Sequence, residues 1–362
     1  MKQHRRQMIQ NVGSVLAMSM LTDSVTAARN DRDSKPRIRV GQIGVGHAHA
    51  GKLSAWRNST EYEVVGIVEP DDNLRQQAQN QEPFRDLPWM TQEQLLNVSG
   101  LQAVLVETNV RDLLNVAESC VDAGMHVHLD KPAGESLEQF TRILHSASRQ
   151  QLLLQMGYMY RYNPGIVMLR EFLTRGWLGE VFEVHTVMSK VVDPDSRLEM
   201  AEFPGGIMFE LGCHIIDLVV GVLGKPEKVT AFPRRVGRQN DKLVDNMLAV
   251  FEYPRATATV KSSAVEVEGF ARRHFVVCGT EGTFHIQPLD NPSARVALST
   301  TRDKYAKGYQ EITFPKYVRY VDDAADMARI IRGEKETDFP PDHDLAVQST
   351  LLQACGLDVS LP

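Results

Sequence analysis

The chain has 362 residues and a net charge of −6, from 40 Lys plus Arg against 46 Asp plus Glu. At roughly 150 residues per domain this length predicts about two domains, each able to bury a core. The basic residues are scattered, so the concentrated positive surface that a nucleic-acid backbone requires is missing. Cys120, Cys213, Cys278 and Cys355 lie far apart without CxxC spacing, which argues against a zinc knuckle or disulfide framework and for buried small hydrophobes.

Residues 1–36 do not read as part of a fold. Lys2, His4, Arg5 and Arg6 form a basic start, residues 8–21 are mostly apolar but interrupted by Gln10 and Asn11, and Val25-Thr26-Ala27 suits a small-residue cleavage site. The segment resembles a twin-arginine export signal, although Gln7-Met8-Ile9 matches only part of what usually follows the arginine pair. It predicts a periplasmic or otherwise exported protein, with an untidy cytoplasmic extension as the alternative. It is too short and too interrupted to span a bilayer, and no membrane partner is expected.

From residue 37 to 156, apolar runs at 37–43, 63–68, 103–106, 126–129 and 152–156 alternate with helical periodicity, which predicts an α/β unit with a doubly wound parallel sheet. Ligands of such sheets sit at the C-terminal strand ends. The candidates are therefore Gly44 to His47, Glu69, Thr108-Asn109, Asp130-Lys131-Pro132 and Gly157-Tyr158.

The first of these forms strand, glycine turn and helix. Gly44 permits the tight turn, Gly46 lets backbone N–H groups approach a pyrophosphate, and the helix over 48–57 presents its N-terminus to the phosphates. Glu69 closes the next strand, about 20 residues on, where a carboxylate meets the adenosine ribose hydroxyls and repels a 2′-phosphate. The pattern predicts a dinucleotide, NAD rather than NADP, with no nearby arginine before Arg75. A glycine turn without a nucleotide is the alternative. His49 stands at the third glycine position, which sets the helix slightly farther from the strand.

After Met156 the texture changes. A helical stretch over 164–175 precedes alternating runs at 181–192, 228–232, 247–251, 256–265, 274–278 and 282–286, which predict an α+β domain with a largely antiparallel open sheet. One face of such a sheet is free to cover a site or meet another subunit, so a homodimer or homotetramer is expected. Helices over 317–332 and 343–357 close the chain, with Pro340-Pro341 at their boundary. The domains read as 37–157 and 158–362, and Gly279 to Thr283, lacking a phosphate-loop lysine, reads as a hairpin turn.

Within residues 205–217, Glu210 and His214 share a face if the segment is helical, and Asp217 lies one turn beyond. A carboxylate one turn from an imidazole fixes its tautomer and readies it to exchange a proton with a substrate hydroxyl. Ordinary helix ion pairs are the alternative. Tyr158, Tyr160, Arg161 and Asn163 open the second domain near the cleft and either bind substrate hydroxyls or pack a domain junction. The HxH pair His47/His49 lies in the phosphate turn, and His126/His128 would point to one face of a strand without a third ligand, so no metal is expected.

Taken in order, these elements resemble the glucose-fructose oxidoreductase, inositol dehydrogenase and MocA family over residues 37–357. The resemblance rests on Gly44-Val45-Gly46 with Glu69, on Ala123 to Val127 leading into Asp130-Lys131-Pro132, on Tyr160 to Pro164, on 205–217 and on 279–283. It implies an NAD-dependent oxidoreductase acting on a sugar, inositol or related polyol, with Lys131 as active-site lysine, His214 as catalytic histidine, and Glu210 where aspartate is commoner. Asn109 replaces a usual proline, and Asp130 a usual glutamate. Export of an already folded chain suits an enzyme that must acquire its nucleotide in the cytoplasm.

Hydride transfer from a carbinol leaves a proton on oxygen for something to accept. His214 is the better base near neutral pH, while Lys131, desolvated beside a cationic nicotinamide, is expected to have a lowered pKa and to share that proton. Two alternatives remain: a glycosidase that recycles tightly held NAD within each cycle, which the same lysine and histidine would serve, and a non-catalytic nucleotide-binding or sensing protein, against which intact Lys131 and His214 argue.

Overall fold

The computed structural model describes residues 35–357 and residue 359. Most of the predicted export segment lies outside the described residues. No helix among the described residues is long and apolar enough to cross a membrane.

The first sheet comprises β1 (Ile38–Ile43), β2 (Tyr62–Val68), β3 (Trp89–Met90), β4 (Leu101–Val106), β5 (His126–Leu129) and β6 (Leu154–Met156). Its order is β3-β2-β1-β4-β5-β6 and every pair is parallel. The strand order reverses between β1 and β4, which opens a crevice at the carboxyl ends of those two strands. Both faces are covered, as the near-continuous apolar runs of β1 and β4 require. Leu113 and Phe140 lie in the core on one face, and Leu53 and Trp56 in the core on the other.

The second sheet holds β7 (Val181–Ser189), β8 (Lys228–Arg234), β9 (Asn246–Glu252), β10 (Thr257–Ser263), β11 (His274–Gly279), β12 (Gly282–Ile286), β13 (Ser293–Leu298) and β14 (Gly308–Thr313). The order is β14-β13-β12-β11-β7-β10-β9-β8. Only the β7–β10 pair is parallel, so the sheet is largely antiparallel. The helices Pro164–Thr174, Cys213–Leu223 and Pro341–Ala354 supply the apolar groups of its covered side. Phe232 and Tyr309 stay exposed.

Three expectations need correction. The helix Val321–Ile331 belongs with the first sheet: Ala324, Met327 and Ala328 pack with Trp56 and Tyr62, and Tyr62 Oη donates to the Ala324 carbonyl at 2.7 Å. Strands β13 and β14 carry too many polar residues on the solvent side to stand out as apolar runs. Residues 208–212 form a wide π-turn before the α-helix Cys213–Leu223, so Glu210 and His214 are not a simple helical pair.

Candidate functional site

At the crevice the chain leaves β1 through Gly44 with φ +93°, and a side chain there would meet the Thr108 amide at 2.5 Å. Only glycine passes beneath the end of β4 in this conformation. Glu69 is held from below: Oε2 accepts from Val45 N–H at 2.9 Å and Oε1 from Asp71 N–H at 3.0 Å. The expected ribose contact is thereby refined. The carboxylate is fixed in place and buried by backbone donors, while each oxygen keeps a further lone pair.

Gly46, Glu69, Asp71, Thr108 and Asn109 line a cavity of about 890 Å³. That volume suits part of a dinucleotide, and the glycine turn, buried carboxylate and strand ends fit one. Arg75 lines the same cavity near its exposed rim and is paired with Asp72 at 2.5 Å.

Lys131, at the end of β5, is 1% exposed, with Nζ 2.8 Å from Glu210 Oε1 and 3.0 Å from the Glu210 carbonyl. The π-turn brings both Glu210 oxygens to the same ammonium. Burial disfavours the charge, but Glu210 and Asp130 outweigh it and hold Lys131 above the ordinary lysine range. The expected lowering is therefore corrected: Lys131 is a fixed ammonium donor. Burial opposes the Glu210 charge in turn, and Lys131 reverses that, leaving the carboxyl below its usual range.

His214 is 3% exposed, and its Nδ1 has no partner among the described residues. Burial, then Lys131, pushes its pKa well below that of an ordinary histidine, so the imidazole is neutral at pH 7. The Tyr160 ring meets it edge-on at 5.2 Å, and the Tyr158 and His49 rings lie at 6.2 Å. Asp217 does not orient it, because that carboxylate turns to Arg161 instead.

Behind Lys131 lies a charge cluster that single-residue reading did not assemble. Asp130 Oδ1 accepts from the Lys131 N–H at 2.7 Å. Its Oδ2 lies 2.5 Å from His47 Nδ1, and 3.3 Å from both His49 Nδ1 and Lys52 Nζ. Lys52 also reaches Glu107 at 3.0 Å. Burial opposes the Asp130 charge, but His47 and Lys52 keep it ionised, whereas burial and Asp130 raise Glu107. Gly157 makes room, since a side chain there would sit 2.9 Å from Asp130 and 3.1 Å from Lys52 Nζ. His47 thus faces Asp130 from within the phosphate turn.

Asp130 joins the His47/His49 pair, and one potential ligating atom from each of the three lies within 4.8 Å of the others. Lys52 already places a positive charge against the shared oxygen. A glutamate directly after the β4 run and a lysine on the buried face of the first helix were the available signals for Glu107 and Lys52.

Arg161 and Asn163 are corrected as substrate contacts. Arg161 is buried with Asp217 at 2.6 Å and Asp344 at 2.5 Å. Asn163 caps the helix Pro164–Thr174 through Gly165 N–H and donates to the Leu289 carbonyl at 2.7 Å. Tyr158 stays in the site, buried beside His214.

Residues 38–158 match the model of an oxidoreductase family with an NAD-binding Rossmann fold, GFO/IDH/MocA, and residues 166–285 match the GFO/IDH/MocA C-terminal domain. The chain belongs to this family. It is an oxidoreductase with an NAD-binding Rossmann domain. A relative from Thermotoga maritima, described as a myo-inositol 2-dehydrogenase, is 22% identical over 258 residues, covering 68% of this chain and 74% of its own. Among solved structures, an Agrobacterium radiobacter oxidoreductase in complex with NAD+, L-tartaric acid and magnesium superposes with TM-score 0.75 at 17% identity, covering 89% of this chain and 97% of its own. A Desulfitobacterium hafniense protein described as a putative NADPH-dependent oxidoreductase gives TM-score 0.75 at 19% identity, covering 89% and 96%. At these identities the structures establish the fold.

Proposed function

We propose that this family member oxidises a carbinol of a sugar, inositol or related polyol, with NAD preferred over NADP. The observation that carries the reading is the pairing of a buried ammonium, Lys131 held by Glu210, with a buried neutral imidazole, His214. The bound dinucleotide supplies a hydride acceptor. Gly44, Gly46, Glu69, Thr108 and Asn109 hold it, and Glu69 with Asp71 favours an unphosphorylated ribose by fixed negative charge.

Lys131 donates a hydrogen bond to the substrate oxygen and stabilises the negative charge that develops there. His214 takes the hydroxyl proton, which its neutral form permits. Glu210 keeps the lysine charged and aimed. Tyr158 and Tyr160 wall the imidazole and limit water.

The test is absorbance at 340 nm on purified full-length protein with NAD and a panel of sugars, inositols and glycosides. Reduced cofactor formed in proportion to product supports the dehydrogenase. Glycoside cleavage without net reduction moves the reading to the redox-neutral glycosidase. No reaction of any polyol or glycoside overturns both.

The uncovered face of the second sheet, with exposed Phe232 and Tyr309, is read as the contact with another copy. Light scattering tests it, a monomer contradicting the assignment. The twin-arginine-like start is read as an export signal, and fractionation with N-terminal sequencing decides between periplasm and cytoplasm.

A further inference from the structure

Three aromatic rings surround His214: Tyr160 at 5.2 Å, and Tyr158 and His49 at 6.2 Å. The imidazole is 3% exposed, so a proton taken from a carbinol cannot pass straight to bulk water. It must leave before the next cycle, and the neighbours of His214 decide where it goes.

Most of those neighbours are closed. Lys131, as an ammonium, has no lone pair and is held by the carboxylate and the carbonyl of Glu210. Tyr160 Oη donates to Asp290 at 2.5 Å, and that carboxylate also takes Arg273 at 2.9 Å and Arg319. Asp217 is bound by Arg161 at 2.6 Å. Tyr158 is buried, and burial holds its phenol well above the ordinary range.

His49 differs in two respects. Its Nδ1 lies 3.3 and 3.4 Å from the two oxygens of Asp130, so the carboxylate takes the Nδ1 proton and leaves Nε2 with a lone pair. Its ring is also partly exposed: with Lys52 and Tyr320 it lines the cavity of about 650 Å³, whose rim carries the exposed Val318 and Val321. This cavity shares no lining residue with the 890 Å³ cavity assigned to the dinucleotide. Its wall is held under strain, since Tyr320 adopts φ +70°, disfavoured for an aromatic residue, with its ring 5.4 Å from Lys52 Nζ and 6.3 Å from His49.

We propose that His49 is the proton relay of this site, receiving at Nε2 the proton that His214 has taken from the substrate hydroxyl and passing it to solvent in the 650 Å³ cavity. The inference rests on the carbinol-oxidation reading above and adds a residue to its proton path. One bridging water closes the gap between the two rings. For each carbinol oxidised, the hydride leaves on the cofactor and one proton leaves by this route, returning both imidazoles to the neutral form. Burial lowers the His49 pKa to about 4 and that of His214 well below its ordinary value, so neither ring retains the proton against bulk water at pH 7.

The experiment measures kcat for NAD reduction by the best substrate in full-length wild type, His49→Ala and His49→Gln, with imidazole added as a mobile proton carrier. Glutamine still donates to Asp130 but does not titrate. A relay predicts that kcat falls by roughly a hundredfold in both variants. Imidazole should restore much of the rate in His49→Ala, where the ring's space is vacant, and little in His49→Gln. Near-normal turnover in His49→Ala, a loss that imidazole does not relieve, or recovery by glutamine alone overturns the proposal, the last two by showing that the ring only supports Asp130.

If no polyol is oxidised, the oxidation reading itself has failed. NMR of the same proteins labelled with ¹⁵N-histidine then still decides the relay. Exchange of the His214 ring proton with water should slow by on the order of tenfold in both variants and recover with imidazole in His49→Ala. Equal exchange in wild type and His49→Gln refutes it, and this comparison holds even if His49→Ala does not fold.

Discussion

Two buried charge clusters in this molecule look alike and do different work. In one, His47, His49 and Asp130 converge on Lys52; in the other, Asp217, His343 and Asp344 converge on Arg161. Each brings histidine and carboxylate atoms within 4.8 Å and places a cationic side chain among them. The Arg161 cluster is closed: its guanidinium satisfies both carboxylates and stacks 4.1 Å from the Phe339 ring. The Lys52 cluster is open on one side, where His49 and Lys52 line a cavity of about 650 Å³ and the His49 ring faces His214. The difference teaches that a polar cluster is chemical where a partially exposed group adjoins an unpartnered one, and structural where every donor is taken.

The strongest way to break this comparison is at the open side. Lys131→Ala and His214→Ala should each lower kcat/KM by about 10³-fold, within the range for removing a positioned acid or base, while NAD still binds in a fluorescence titration. Near-normal rates in both would dissolve the distinction.

At the closed side, Arg161→Met leaves Asp344 as a buried carboxylate without its cation and Asp217 with only His343, at 3.1 Å, and should cost about 3–5 kcal/mol in urea unfolding. Its folded fraction should keep the NAD affinity of wild type. A stability change below about 1 kcal/mol would show that this cluster is not structural.

Asp323 sharpens the comparison on a finer scale. It is fully buried with neither carboxylate oxygen bonded among the described residues, and burial raises its pKa to about 7 despite Lys52. A pKa raised on folding contributes stability at low pH that is lost as pH rises from about 4 to 7. Wild type should therefore lose up to about 4 kcal/mol between pH 4 and 8 relative to Asp323→Asn, which does not titrate. Parallel stability curves for the two proteins contradict this burial account.

The smallest effect is expected at Glu69. Glu69→Ser removes the fixed charge beneath the ribose and should shift the NAD to NADP preference by about tenfold. An unchanged ratio would move discrimination to Asp71.

What was visible in the sequence follows from how local each signal is. The glycine turn, Glu69 and the parallel order of the first sheet rest on short patterns that backbone geometry enforces, so Gly44 and Glu69 could be placed by inspection. The second sheet was recognisable in class, although β13 and β14 were hidden by solvent-facing polar residues. The protonation state of Lys131 was not visible, because Glu210 lies 79 residues away and reaches it through a π-turn that no periodicity reveals. Arg161 looked available beside the cleft until Asp344, 183 residues on, was folded against it.

The assignment of His214 as base and Lys131 as charged donor is tested most directly by the pH dependence of NADH formation between pH 5 and 10, once a substrate is in hand. A neutral buried imidazole predicts a flat rate above about pH 6.5, falling only as His214 takes up a proton below its ordinary value of 6.5. A rate that keeps climbing through pH 8 to 10 would mean that a lysine must lose its proton, and would return the role of base to Lys131.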